Sequence, residues 1–174
     1  MLRNLFSIPL ILFSPLLFCQ STGKLFLKAA VTKLENSKIY TLQVAEKMPP
    51  ENYNFRPMAK EMSFGEQLLH LSENLGWLTS AYLEKGTSPF TDADGKKQNK
   101  VEIIEVVNRV YYYALKVLRN FDEAHLGDSV NFFAGPMNKL QIINLVSDHQ
   151  AHHHGQMIVY LRLNGIEPPK YVGW

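Results

Sequence analysis

Cysteine is nearly absent from this sequence, because Cys19 is the only one among 174 residues. A single cysteine excludes an intramolecular disulfide and any zinc site built from several thiolates. If the protein holds a metal ion, histidine and carboxylate side chains must therefore provide the ligands.

A marked excess of one charge is also missing. Lysine and arginine number 18 against 16 aspartate and glutamate, which gives a net charge of +2, and the basic residues are scattered along the chain. Proteins that follow a phosphate backbone need massed basic residues, so we expect no nucleic-acid partner. Hydrophobic residues make up 46% and charged residues 20% of the chain, a balance typical of one globular domain.

The sequence has no apolar run long enough to cross a membrane as a helix, which takes ~20 residues. The nearest candidate is the uncharged stretch from Leu5 to Phe18, which Pro9 and Pro15 interrupt. It follows a cation at Arg3 and precedes small and polar residues, the layout of a secretory signal peptide. We therefore predict a signal peptide at residues 1–20, with a buried N-terminal core helix as the alternative.

Export has consequences for the location of the mature protein. The signal peptide predicts an extracytoplasmic protein, either periplasmic or secreted. Its removal can also remove Cys19, and a mature chain without cysteine suits an oxidising compartment. Cys19 stands where a lipoprotein signal places its lipidated cysteine, although Phe18 before it is bulkier than the residue usual there. Membrane attachment is expected only if Cys19 is lipidated.

Beyond Gly23 the apolar residues recur at helical spacing in four segments, and none shows the sustained alternation of a strand. The first helix is predicted over about 24–47, before Pro49 and Pro50, and the second from an N-cap at Ser63 to about Glu84, where Gly86 and Pro89 mark its end. The third is predicted over about 100–121, after the polar loop TDADGKKQNK. The fourth is predicted over about 138–164, and Gly165 is expected to stop it.

Helices of this length and amphipathic pattern are sufficient to bury a shared core. The predicted fold class is therefore all-α, a four-helix bundle over residues 24–172, preceded by the signal peptide.

Histidine is concentrated in one short window of the fourth helix. Four of the six histidines lie there, at His149, His152, His153 and His154. His149 and His153 are four residues apart, which places both imidazoles on one helix face and allows them to bind one ion. That face continues through apolar residues, so both rings are expected to point into the bundle.

A third ligand has to come from another helix. His70 lies in the middle of the second helix, between two leucines, whereas His125 follows the third helix beside Gly127 and is expected in a loop. The sequence thus predicts a metal site of His70, His149 and His153, with His152 and His154 directed elsewhere. Three protein ligands leave a coordination position open, the pattern of catalytic rather than structural zinc sites.

The same pattern has a simpler interpretation, since a histidine pair at this spacing is often exposed or hydrogen-bonded in a core without any metal. Two residues one turn from His70, Glu66 and Asn74, could orient its ring. Glu66 also completes a capping box with Ser63, and we favour that role.

With these residues identified, the chain from about residue 25 to 172 resembles the DinB-like (YfiT-like) family of small metal-binding four-helix proteins. The segment DHQAHHHGQMIVYLRLNGIEPP is similar to the family's last-helix motif, with His149 and His153 at two ligand positions. The segment NFRPMAKEMSFGEQLLHL is similar to the family's approach to its second helix and puts His70 at the first ligand position. His154 departs from the family, which commonly has arginine there.

The resemblance implies a divalent metal ion, commonly zinc or nickel, and often a homodimer. It leaves three functions open, since one fold serves many activities. The first is a metal-dependent hydrolase-type enzyme acting on a small molecule. The second is a thiol S-transferase-like enzyme, which export disfavours because the thiols concerned are mainly cytoplasmic. The third is a non-catalytic metal- or ligand-binding module.

Overall fold

The computed structural model describes the backbone from residue 16 and the side chains from residue 22 to the end of the chain. Its four helices are α1 (Leu16–Lys47), α2 (Phe64–Leu78), α3 (Lys100–Arg119) and α4 (Lys139–Leu163). The two strands of a hairpin, β1 (Ser129–Phe132) and β2 (Gly135–Asn138), connect α3 to α4. The four predicted helices are confirmed.

The start of α2 follows from local chemistry that the sequence already contained. The Ser63 hydroxyl accepts a hydrogen bond from the Glu66 backbone N–H at 3.2 Å, and the Glu66 carboxylate accepts one from the Ser63 N–H at 2.7 Å. This reciprocal pair is the predicted capping box, and it satisfies two backbone donors that a helix N-terminus leaves unpaired. The capping role favoured for Glu66 is therefore confirmed.

The helical rod of α2 continues beyond Leu78 as a π-helical segment, Thr79–Glu84. Its end agrees with the predicted one, but the residue that breaks the helix is Lys85, at φ 59°, rather than the neighbouring Gly86. The end of α4 was anticipated more closely, since Gly165, at φ +70°, follows the helix in the left-handed conformation that glycine adopts at low cost.

The core lies among the four helices. α1 packs against α3 and α4, and α2 packs against the same two helices, so α1 and α2 occupy opposite corners of the bundle. The largest side chains that are fully buried come from α2, α3, α4 and the connection between α1 and α2: Tyr53, Tyr111, Phe64, Met48, Leu68, Leu71, Leu75, Leu78, Ile103, Ile142, Ile143 and Met157. This arrangement places one face of α4 against α2 and another against α1.

The predicted elements leave out one feature, a short hairpin in the connection from α3 to α4. There β1 and β2 pair antiparallel, with Phe132 opposite Gly135, so two residues make the turn. Strands of four residues are too short for alternation to be distinguished from a loop, and the turn lacks the Asn-Gly or Asp-Gly signal of common two-residue hairpins. Gly135 has φ +123°, which a residue with a side chain rarely adopts.

Most of the predicted signal peptide, residues 1–20, lies outside the described residues, so export stays a prediction. The helix α1 begins at Leu16, earlier than the predicted start near Lys24. Across the described residues, no helix combines the length and apolar character needed to span a membrane.

Candidate metal centre

The three histidines predicted as metal ligands meet where α2 packs against α4. His70, His149 and His153 each offer a ring nitrogen, and these nitrogens all lie within 4.8 Å of one another. The ring centroids are 5.2 Å apart for His70 and His149, 4.8 Å for His70 and His153, and 4.4 Å for His149 and His153. The structure thus brings together three side chains from two helices, as the spacing along the sequence indicated.

The other three histidines lie outside this group, as predicted. His125 is exposed and its Nδ1 lies 2.9 Å from an Asp128 carboxylate oxygen. His152 is exposed and its Nε2 lies 2.7 Å from Gln156 Nε2. His154 is buried against α1, with Nε2 at 2.6 Å from the Thr41 hydroxyl. Among the described residues, no further histidine, cysteine or carboxylate joins the three.

A chain of hydrogen bonds fixes the orientation of His153. Its Nδ1 lies 2.6 Å from Gln67 Oε1, and Gln67 Nε2 donates to Gln156 Oε1 at 2.6 Å. The Tyr160 hydroxyl donates to the Met62 carbonyl, which leaves its oxygen free to accept from Gln67 Nε2 at 3.4 Å. The amide nitrogen of Gln67 therefore has two acceptors, and its oxygen is the atom that faces His153.

This orientation decides which nitrogen of His153 can bind a metal. An amide oxygen only accepts, so His153 must carry its proton on Nδ1 and donate it to Gln67. The lone pair of the neutral ring is then on Nε2. A histidine ligand usually donates its second ring N–H to such a partner, which fixes the tautomer and the plane of the ring. Gln67 provides this contact from α2.

His149 provides a second observation that fits a metal ion. Its Nδ1 is buried and has no hydrogen-bond partner among the described residues. A buried nitrogen without a partner costs free energy, and a metal ion bound by the ring offsets such a cost. The donor set of three neutral imidazoles also suits zinc and nickel.

Burial keeps the two α4 ligands neutral. It lowers the pKa of His149 to about 4, with the charges of His70 and His152 as smaller causes. Burial also lowers the pKa of His153 to about 3, and the neighbouring histidines add to the effect. Both rings therefore present lone pairs at neutral pH, the state in which imidazole binds a metal.

Sequence reasoning missed Gln67 as the residue that orients a ligand. It considered Glu66 and Asn74 instead, but the Glu66 carboxylate is held by the capping box and by Arg56, at 2.6 Å. The side-chain oxygen of Asn74 is buried without a described partner. The one available signal was a glutamine three residues before His70, followed by two leucines in α2.

Two open grooves meet at His70, which is half-buried. One, of about 370 Å³, is bordered by Arg56, Lys60 and Glu73, and the other, of about 420 Å³, by Trp77, Phe90 and Glu73. A small molecule can therefore approach His70 from solvent. Glu73 lies one turn after His70 and is the carboxylate common to both grooves.

Comparison with known proteins identifies the family. The sequence profile of the DinB family matches residues 23–173, nearly the whole described part of the chain. The chain belongs to the DinB family, as its resemblance in the second and fourth helices indicated.

Comparison with individual proteins agrees with this family assignment. The chain is 25% identical over 130 residues to "Uncharacterized protein YjoA" of Bacillus subtilis (strain 168), covering 72% of this chain and 82% of that protein. The crystal structure of that DinB-like protein matches with a TM-score of 0.69 at 22% identity, over 82% of this chain and 96% of that one. A DinB-like protein from Bacillus cereus matches with a TM-score of 0.73 at 16% identity, over 83% and 97% of the two chains. These structures share the fold.

The geometry predicts which histidines a metal ion requires. His70→Ala, His149→Ala and His153→Ala should each abolish stoichiometric metal binding, because only these three rings converge. His125→Ala and His152→Ala are matched controls and should retain the ion. Elemental analysis of the purified variants measures this, and full occupancy in His70→Ala would contradict the three-histidine site.

The contact between Gln67 and His153 gives a second prediction. Gln67→Leu should weaken metal affinity by about 10- to 100-fold, because His153 loses the acceptor that fixes its tautomer. Gln67→Glu retains an acceptor for Nδ1–H and should lie closer to the unsubstituted protein. Competition with a chelator of known affinity measures the difference, and Gln43→Leu, an exposed position on α1, controls for the substitution itself. Equal affinities in the two Gln67 variants would show that the hydrogen bond does not orient the ligand.

Proposed function

We propose that this DinB-family chain is an exported, divalent-metal-dependent enzyme of the hydrolase type, acting on a small molecule at an open three-histidine site. The observation that carries the proposal is the convergence of His70, His149 and His153 within 4.8 Å, with no fourth ligand among the described residues. Closed sites with four protein ligands are structural, whereas three ligands leave room for water or substrate.

Zinc or nickel is the ion proposed for this site. When bound by three neutral imidazoles, such an ion supplies a Lewis acid that polarises a substrate oxygen or lowers the pKa of water. The unpartnered Nδ1 of His149 and the fixed tautomer of His153 both support an ion at this position.

The chain's own residues hold the site and admit the substrate. Gln67 orients His153, and the packing of α2 on α4 buries the His153 ring, whereas His70 and His149 are half-buried. The two grooves at His70 provide access. Glu73, an exposed carboxylate, borders both of them.

Removal of the metal should distinguish a catalytic metal site from a structural one. Chelation should lower the Tm and leave far-UV helicity at room temperature largely intact, because the four helices bury a core of their own. Hydrolysis of a panel of small esters, amides and lactones should be lost on chelation and restored by zinc or nickel. Global unfolding on chelation would instead make the ion a structural brace.

The activity panel also distinguishes the other functions. Transfer of a low-molecular-weight thiol by the metal-loaded protein, without hydrolysis, would replace the proposed reaction by thiol transfer. Metal-loaded protein without either activity would indicate a binding module.

Export is the part of the proposal that depends on the N-terminal segment. The family match begins at residue 23, after the predicted signal peptide, which supports a separate role for residues 1–20. The mature protein should begin between Cys19 and Gly23 and should lie outside the cytoplasm. The intact mass of the exported product measures this. A cytoplasmic protein that still begins at Met1 would overturn export and would remove the argument against thiol transfer.

A homodimer, which the family resemblance implies, stays a prediction.

A further inference from the structure

A second cavity lies on the other side of α4 from the three histidines. It has a volume of about 180 Å³, lies between α1 and α4, and is covered by the C-terminal residues Tyr171, Val172 and Gly173. The covering segment is held by an edge-on contact between the rings of Tyr171 and Tyr40, at 5.7 Å between centroids, and by a hydrogen bond from the Asn36 amide to the Trp174 carbonyl. The proposed function does not use this cavity.

Small residues on α4 account for the space. Ser147, Ala151 and Gly155 recur every four residues and all line the cavity, together with Leu34 of α1 and Ile158. A methyl group built on Gly155 would meet no other atom within 4 Å. By comparison, a cavity of about 150 Å³ in another protein accommodates benzene. The space is therefore sufficient for one substituted ring.

Two polar side chains in the cavity wall are nine-tenths buried yet have unused hydrogen-bonding atoms. Tyr40 is 3% exposed and lines the cavity, and its hydroxyl has no hydrogen-bond partner among the described residues. His154 is 8% exposed and also lines the cavity, and its only described hydrogen bond is from Nε2 to Thr41.

The second ring nitrogen of His154 is available to a ligand. Its Nε2 lies 2.6 Å from the Thr41 hydroxyl, which is also 2.8 Å from the Ser37 carbonyl and 2.8 Å from the Tyr111 hydroxyl. Its Nδ1 has no described partner. A ligand hydroxyl can hydrogen-bond Nδ1 in either tautomer of the ring, because a hydroxyl both donates and accepts.

The charge of the cavity wall favours an anion. Lys33 is the one ionic residue among those that line it, apart from the neutral His154, and it forms no ion pair with a described residue. No carboxylate side chain lines the cavity. The wall thus offers two donors, the Lys33 ammonium and the Tyr40 hydroxyl, together with the unpartnered Nδ1 of His154 and an apolar surface.

We infer that this cavity binds a single-ring aromatic carboxylate that carries a ring hydroxyl. The carboxylate pairs with Lys33 and Tyr40, the ring packs against Leu34 and Ile158, and the hydroxyl forms a hydrogen bond with His154 Nδ1. Each part of the ligand then matches an otherwise unsatisfied feature of the wall.

Calorimetric titration of the mature protein with 4-hydroxybenzoate tests the inference. Binding should weaken for benzoate, which lacks the ring hydroxyl, and for 4-hydroxybenzyl alcohol, which lacks the charge. Lys33→Gln should weaken binding by about tenfold or more, the usual value of a hydrogen bond to a charged group, whereas Lys28→Gln, also exposed on α1, should not.

A second pair of variants tests the location. Ala151→Phe should abolish binding by filling the cavity, and because Ala151 is accessible to solvent the change leaves the core intact. Ala29→Phe makes the same change at an exposed position on α1 that does not line the cavity, and it should bind normally. Absence of 4-hydroxybenzoate binding at millimolar concentration, or equal binding by these two variants, would overturn the inference.

Binding must also be independent of the three-histidine site, because a carboxylate can ligate a metal ion. Titration of chelated protein and of His149→Ala should give the same affinity as the metal-loaded protein. Loss of binding in both would place the carboxylate at the metal and overturn the cavity as its site. The outcome of these two titrations does not depend on whether the proposed enzymatic function is correct.

Discussion

The hydrogen bond between His153 Nδ1 and Gln67 Oε1, at 2.6 Å, joins α4 to α2 at the centre of the candidate metal site. It connects a buried imidazole on one helix to a buried amide on the other, in surroundings where an unpaired polar group is costly. Satisfying both groups requires one register of α2 against α4. That register also places His70 beside the α4 pair, so the packing of the two helices and the geometry of the site depend on the same contact.

Helix α4 has polar residues buried on two faces, and each face has its own consequence. Toward α2 it presents His149 and His153, whose pKa values burial lowers far enough to keep both rings neutral. Toward α1 it presents Gln150 and His154, which join Thr41 and Tyr111 in a buried hydrogen-bond network. Burial lowers the pKa of His154 to about 4, and a neutral imidazole there avoids the cost of burying a charge between two helices.

Local signals predicted most of the fold. The capping pair of Ser63 and Glu66 and the glycine stop at Gly165 set helix ends through contacts within a few residues, which a sequence shows directly. The hairpin between α3 and α4 escaped prediction because its strands have four residues and its turn has no characteristic dipeptide. Lys85 replaced the expected Gly86 at a left-handed position, which local sequence preference does not anticipate.

The candidate site also has residues that the sequence predicted and one that it did not. The spacing of His149 and His153 follows from helix geometry, and His70 was the remaining histidine at a helix centre. Gln67 was not predicted, because a glutamine in an amphipathic helix is ordinary until its partners are known. Those partners, Gln156 and His153, lie 89 and 86 residues away in the sequence. The same holds for the cavity between α1 and α4, which exists only once the C-terminal segment lies across it.

The central claim is that His70, His149 and His153 together hold one divalent ion with a coordination position left open. Crystals of the metal-loaded protein, with diffraction collected on both sides of the metal's absorption edge, test it most directly. The account predicts one anomalous peak among the three rings, one nitrogen ligand from each, and exchangeable solvent completing the coordination. A fourth protein ligand, or a peak elsewhere in the molecule, would contradict it.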